Sequence, residues 1–224
     1  MTFSVVGRCV RTGAFGVAIT SSSPAVASRC AYVRAGVGAV ATQNVTDPRL
    51  GPALLESLAA GRDAFAAVAE VSAVAEHAQF RQLSAVGATG APAVFSGSSS
   101  LGVNGDVVGT DCVVAGNLLA SLSVLAACAA AYDGSPDLAI EERLLTALEA
   151  GLAAGGEAGP IHSAGLLVAD SADWPTTNLR VDWSEAPIAD LRVLWDVWAP
   201  QKADYVTRAL DPTSAPSYGV PGDE

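Results

Sequence analysis

The sequence predicts an α+β fold, a four-layer αββα sandwich of two antiparallel sheets, and three observations point to it. Strand-like segments come in groups joined by short turns, the connection that antiparallel sheets allow. Helical segments come in pairs and not one after each strand, which argues against a doubly wound parallel sheet. Half of the 224 residues are hydrophobic and only 16% are charged, enough apolar surface for a sizeable core. No internal repeat or linker interrupts the chain, so residues 1–210 are expected to form one domain, followed by an irregular tail over 211–224.

The elements follow in order. Thr2 to Val10 is β-branched and alternating, Arg11-Thr12-Gly13 is a turn signal, and Ala14 to Thr20 is a second strand; together they predict a hairpin. A third strand covers Ala31 to Thr42, and its run AGVGAVAT, lacking polar alternation, predicts burial on both faces. Gln43 to Gly51 is a loop entering helices over Pro52–Ala60 and Asp63–His77, broken at Gly61. Arg81–Gly87 and Ala91–Phe95 are strands around Ala88-Thr89-Gly90, and the Ser-, Gly- and Asn-rich stretch Ser96–Gly109 is a long loop. A strand over Thr110–Ala115 ends at Gly116-Asn117. Helices over about 118–132 and 136–154 follow, then strands over Ser163–Ala169 and Asn178–Trp183 and an amphipathic helix over Ala186–Trp198. One helix pair, 52–77, should cover one outer side of the sandwich and the other, 118–154, the opposite side.

The formal net charge is −11 and Lys202 is the single lysine. A basic surface for nucleic acid or anionic lipid is therefore not expected. The cysteines, Cys9, Cys30, Cys112 and Cys128, form no CxxC pair; zinc spacing and a disulfide framework are both absent, and two of them sit in apolar runs as small buried residues. MTFSVVGRC lacks the basic start and apolar stretch of a signal peptide, and the apolar helical runs near 118–132 are too short for a bilayer. A cytoplasmic protein is the expectation.

Candidate chemistry begins at residue 2. A hairpin turning near Thr12 sets Thr20-Ser21-Ser22-Ser23 beside the chain start, so hydroxyls of Ser21 and Ser23 would flank Thr2. The third strand ends at Thr42-Gln43-Asn44 before a helix, where backbone N–H groups are natural oxyanion donors. The plainer alternatives are a solvated turn at 21–23 and a helix-entry loop at 42–44. Thr2 follows the initiator methionine and is small enough for aminopeptidase trimming; a freed α-amine, of ordinary pKa about 7.7–8.0, can serve as base for its own hydroxyl. Asn117, at a strand end that opens a helix, either points into a cleft or caps that helix. Other patterns carry less. Gly36-Val37-Gly38-Ala39-Val40-Ala41 continues as strand where a dinucleotide turn needs a helix. No G-x-S-x-G elbow occurs, His162 beside Ser163 is only a sequence neighbour, and Asn104, Asp106 and Asp111 match no metal spacing.

The stretches TFSVVGR, TGAFGVAITSSSPAVASRCAYVRAGVGAVATQN, GPALLESLAAG, VVAGNLLAS, IEERLLTALEAGLAAGGE, HSAGLLV and LRVDWSEAPIADL resemble, in this order and from Thr2 to about Trp195, the domain-of-unknown-function 1028 family. The resemblance implies membership of the N-terminal nucleophile (Ntn) hydrolase superfamily, whose αββα fold agrees with the element order, and cleavage of amide bonds by an N-terminal Thr, Ser or Cys. Thr2 matches that position. Proteasome-like members add an acidic residue after the second strand and a lysine further on; here those places hold Thr20–Ser23 and Arg29 or Arg34.

The resulting expectation is an Ntn-type amidohydrolase acting on a small linear or cyclic amide. Thr2 is the nucleophile after loss of Met1, with Ser21, Ser23, Thr42, Gln43, Asn44 and Asn117 around the substrate. No cofactor or metal is called for. The alternative is a binding or assembly protein that keeps the fold without catalysis. The Trp195 and Trp198 helix, followed by a Pro-rich arm, predicts a homodimer through the C-terminal region, unless the tryptophans complete the monomer's own core.

Overall fold

The computed structural model describes residues 1–220. Strands β1 (Thr2–Cys9) and β2 (Ala14–Ser21) form the expected hairpin, with Thr2 opposite Ser21. Both strands lie in the middle of a six-stranded sheet. β1 pairs on its other side with β8 (Cys112–Asn117), which pairs with the edge strand β7 (Gly105–Val108). β2 pairs outward with β9 (Ser163–Ala169), and β9 with β10 (Thr177–Val181). A second sheet of four strands runs in the order β3 (Ala31–Arg34), β4 (Gly38–Asn44), β5 (Arg81–Gly87) and β6 (Ala93–Ser96). Every pairing in both sheets is antiparallel.

The faces of β1 show how the layers stack. Phe3 and Val5 point into a core built with the helices α4 (Ser123–Asp133) and α5 (Ile140–Ala153). Val6, of the opposite parity, points into a second core shared with Ala39 and Ala41 of β4 and Val86 of β5, between the two sheets. Strand residues alternate faces, so Thr2 and Ser4 share the inter-sheet side with Val6. A third core packs Leu54, Leu55 and Leu58 of α2 (Leu50–Ala59) and Val68 and Val71 of α3 (Ala64–Val74) on Val40, Leu83 and Ala85. The architecture is therefore αββα, with each helix pair on its own outer face. Each fully buried Leu or Phe here contributes roughly 1.5–3 kcal/mol by transfer from water.

Local chemistry sets the helix starts. The Asp63 carboxylate caps α3 by accepting from the Ala66 amide at 2.8 Å. Glu141 and Glu142 sit in the first turn of α5, where the helix dipole favours negative charge. Pro187 opens α6 (Pro187–Trp198), which lays Ile188, Leu191 and Trp195 on the helix-side core.

Several expectations are corrected. Ala31–Thr42 is two strands: Gly36, at φ +69°, makes the turn that folds β4 back on β3. The apolar run hid a hairpin because Gly-Val-Gly carries no polar marker. The stretch Ser96–Gly109, expected as loop, contains the edge strand β7. The helix expected from 118 begins at Ser123, because Leu118 and Ala120 are held by the loop after α5: Ala158 N–H donates to Leu118 O and Ala120 N–H to Gly156 O. A single helical turn α1 (Ala27–Cys30) and a final helix α7 (Lys202–Leu210) were not anticipated. Beyond α7, residues 211–220 form no helix or strand; the last four residues of the expected tail lie outside the described residues. All four cysteines are buried free thiols.

Candidate active site

The hairpin register places four polar residues in one row across the end of the larger sheet. Thr2 lies between Ser21 on β2 and Asn117 on β8, and Ser21 lies opposite Ser163 on β9. All four are nearly or fully buried, on the side that faces the second sheet. Polar groups so placed need partners, and the partners define two linked networks.

The first network leads from Thr2 to a guanidinium. Thr2 Oγ1 lies 3.3 Å from Ser21 Oγ, and Ser21 Oγ lies 2.9 Å from Ser23 Oγ. Arg29 Nη2 donates to Ser23 Oγ at 2.7 Å. Arginine only donates, so the Ser23 hydroxyl accepts from it and keeps its own proton for Ser21. The Ser21 proton is then free for an oxygen beyond the chain. That oxygen is the Met1 carbonyl, which accepts from both Ser21 Oγ and Thr2 Oγ1. Ser163 Oγ fixes the turn by donating to Ser23 O at 2.6 Å. Of the two candidate arginines, Arg29 joins this relay, and Arg34 pairs with Glu56 on the surface at 2.6 Å.

The second network ties the sheets together beneath Thr2. Ser4 Oγ donates to Gln43 Oε1 at 2.7 Å, and Gln43 Nε2 donates to Gln82 Oε1 at 2.8 Å. Asn117 Nδ2 reaches the same Gln82 oxygen at 3.4 Å. Gln82 Nε2 faces Ser96 Oγ, Gly105 O and Gly116 O at 3.0, 3.3 and 3.2 Å.

The expected residues thus divide. Ser21, Ser23 and Asn117 sit with Thr2, and Asn117 turns inward to Gln82 and does not cap α4. Gln43 belongs to the second network through Ser4. Thr42 and Asn44 hold the loop after β4: Thr42 Oγ1 donates to Asp47 O at 3.4 Å, and Asn44, at φ +73°, donates to Phe80 O and accepts from Leu101 N–H. Asn44 ends strand β4, with Thr42, Gln43 and Asn44 paired along β5, so the 42–44 segment is the strand end expected and not the helix-entry loop of the plainer alternative, with its backbone in the pairing with β5.

Glu157 is the residue that sequence reasoning missed. It follows α5 in a loop that bridges to Leu119 and turns through Gly155 and Gly156 at φ +120° and +61°, a conformation that favours glycine. Its Oε2 accepts from Ser22 N–H at 3.1 Å, its Oε1 is buried without a partner, and the residue is 5% exposed. Burial pushes its carboxyl up to about 8, against the opposing pull of the α-amine of Met1 and the Ser22 amide. A glutamate flanked by glycines has no distinguishing spacing; only the fold brings it beside residue 1. A cavity of about 300 Å³ opens at Glu157 and Gly159 and is walled by Pro160, Glu185, Pro187 and Ile188. Another, of about 340 Å³, lies near Trp174 and α7, at the opposite end of β9 and β10 from Ser163.

Among the described residues, no group of three or more His, Cys, Asp or Glu side chains is arranged to hold a metal ion, and no helix is long and apolar enough to cross a membrane.

Comparison with known proteins bears on the whole fold. The crystal structure of a DUF1028-family protein from Silicibacter pomeroyi superposes with a TM-score of 0.83 at 31% identity, covering 91% of this chain and 92% of that one. Anbu (ancestral beta-subunit) from Yersinia bercovieri matches over 89% of this chain and 95% of its own, at 12% identity and a TM-score of 0.35, which carries no argument. No curated protein matches. The model of a family of unknown function, DUF1028, matches residues 2–191. The chain belongs to the DUF1028 family.

Proposed function

We propose that the protein is an Ntn-type amidohydrolase that cleaves the C–N bond of a small amide, with Thr2 as nucleophile once Met1 is removed. One observation carries this reading. Thr2 begins a central strand, its hydroxyl lies between the sheets, and the relay from Arg29 through Ser23 ends on Ser21 beside it. A hydroxyl is a weak nucleophile until a base takes its proton. The freed Thr2 α-amine takes it, and Oγ1 attacks the amide carbon. The carbonyl π pair moves onto oxygen, where the Ser21 O–H, polarised by Ser23 and Arg29, donates to the developing charge. The ammonium returns its proton to the leaving nitrogen, the C–N bond breaks and an acyl ester remains on Thr2. Water, deprotonated by the same amine, then releases the acid and restores the hydroxyl.

The test is turnover of a library of small amides by protein whose mass confirms loss of Met1. Thr2→Ala should cut the rate by at least the general-base contribution of about 10²–10⁴-fold, and Thr2→Ser should keep part of it. Full turnover by Thr2→Ala would sink the nucleophile assignment. A protein that keeps Met1 and turns over no amide would favour the binding-protein alternative.

A further inference from the structure

Met1 fills a formed subsite. Its carbonyl oxygen accepts from Thr2 Oγ1 and Ser21 Oγ. Its α-amine lies within the field of Glu157, whose Oε1 is buried and unpartnered. Its side-chain methyl packs where a side chain at Gly159 would stand: a Cβ there would come within 2.9 Å of Met1 Cε. The adjoining cavity carries two carboxylates, Glu157 in its floor and Glu185 at its exposed rim, and no lysine or arginine lines it.

An acyl group on the Thr2 nitrogen reports on one carried by the Thr2 oxygen. The two atoms are joined through Cα and Cβ, so either acyl carbon lies within reach of both, and its substituents point into the same space. We propose that this space, once Met1 is gone, is the acyl subsite of the enzyme, and that it takes an aminoacyl group: a free α-ammonium held by Glu157, a carbonyl held by the Ser21 hydroxyl beside Thr2, and an unbranched apolar side chain against Gly159. The substrate class is then an aminoacyl amide. This rests on the assignment of Thr2 as nucleophile.

The physical case for the amine is strongest. Ionising a carboxyl with one oxygen buried and unpartnered is costly, so Glu157 keeps its proton in an empty pocket; an ammonium there offsets that cost and draws the proton off. Once residue 1 departs, the Thr2 amine stands one residue further along the chain, and Glu157 loses the charge that faced it. A substrate ammonium restores the pair. An N-acylated substrate cannot, because its neutral amide supplies no charge.

Two measurements separate this proposal from the nucleophile assignment. The first is hydrolysis of methionine p-nitroanilide against N-acetylmethionine p-nitroanilide by the trimmed protein. The free amine should be preferred by at least about 30-fold in kcat/KM, the range set by loss of one partner of a buried charge pair, and Glu157→Gln should shrink that ratio. Gly159→Ala should lower turnover of the methionine substrate more than that of the alanine one. Thr2-dependent hydrolysis without free-amine preference would overturn the subsite and leave the nucleophile standing. The second is calorimetric binding of methioninamide and N-acetylmethioninamide to trimmed Thr2→Ala, which needs no catalysis. Binding of the free amine alone supports the proposal whatever becomes of the chemistry; binding of neither, or of both equally, overturns it.

Discussion

Gln82→Met tests the network that joins the sheets beneath Thr2. Methionine keeps the length of the side chain and removes every polar atom. Gln43 Nε2 and Asn117 Nδ2 would both lose the Gln82 oxygen, their acceptor at 2.8 and 3.4 Å. Each residue is 1% exposed, so water cannot replace it. A stranded buried donor costs about 1–3 kcal/mol. The longer contact counts at the low end, which gives a loss of about 3 kcal/mol. The Ser96 hydroxyl is half-buried and can turn to solvent, and the Gly105 and Gly116 carbonyls share one amide at 3.3 and 3.2 Å, so these acceptors add little. For a domain of this size, 1 kcal/mol lowers Tm by roughly 2–4 °C, and the expected drop is about 6–12 °C. Urea denaturation should show the same loss as a lower midpoint at unchanged slope. Gln43→Met with Gln82→Met should cost less than the sum of the two, because removing both partners strands fewer groups. A loss below about 1 kcal/mol for Gln82→Met, or additive single variants, would refute this account.

Further outcomes follow from groups already described. Burial raises the Glu157 carboxyl from 4.5 to about 8, so the folded chain holds a proton that the unfolded chain releases. Stability should therefore fall as pH rises from 4.5 to 8, and Glu157→Gln should flatten that slope in denaturation curves; an unchanged slope would show the carboxyl to be solvated. Burial pushes the Cys112 and Cys128 thiols up to about 12. At Cys9 burial acts in the same direction, but hydrogen bonds from Thr12 and Arg11 and the Arg11 charge together outweigh it and leave the thiol below its ordinary value. All four thiols are buried, so a thiol reagent should reach Cys9 as the fold opens locally and Cys112 and Cys128 more slowly, on global unfolding; rapid labelling of Cys112 or Cys128 in folded protein would contradict this. We propose a homodimer through α6. Trp195 is turned into the core and Trp198 stacks on Tyr205 at 5.0 Å, which leaves Val193, Leu194 and Val197 facing out. Sedimentation at micromolar concentration should give twice the chain mass, and a monomer would refute it.

The sandwich was legible because its signals are local. The turn Arg11-Thr12-Gly13 sets the first hairpin, and from that turn the opposition of Thr2 and the 21–23 serines follows within one residue. Paired helices announce covered faces. Elements defined by their surroundings were not legible. β7 pairs only at a sheet edge, with exposed Asp106 and Val108, and its glycine-rich flanks read as loop. α7 is short, polar on average and buries no residue, so its few apolar positions do not mark it as a core-facing helix. At the site, Ser21 and Ser23 could be placed beside Thr2 by the hairpin register alone, whereas Asn117 is legible only as a strand end that opens a helix, because its pairing with Thr2 joins segments far apart in the chain. Gln82 and Glu157 could not, since each comes to its partners from another sheet or loop, and no spacing along the chain encodes that approach.

The central position of β1 also bears on the order in which the molecule can assemble. The β1–β2 hairpin precedes its neighbours in the chain, and neither of its outer edges finds a partner until Cys112–Asn117 and Ser163–Ala169 have been synthesised. Until then it is an apolar ribbon with two open edges, the kind of surface that recruits other chains. Closure must wait for contacts distant in sequence, which slows folding. The strand that carries the candidate nucleophile is thus made before its neighbours and enclosed late, and a chaperone that shields nascent strands should raise the yield of folded protein.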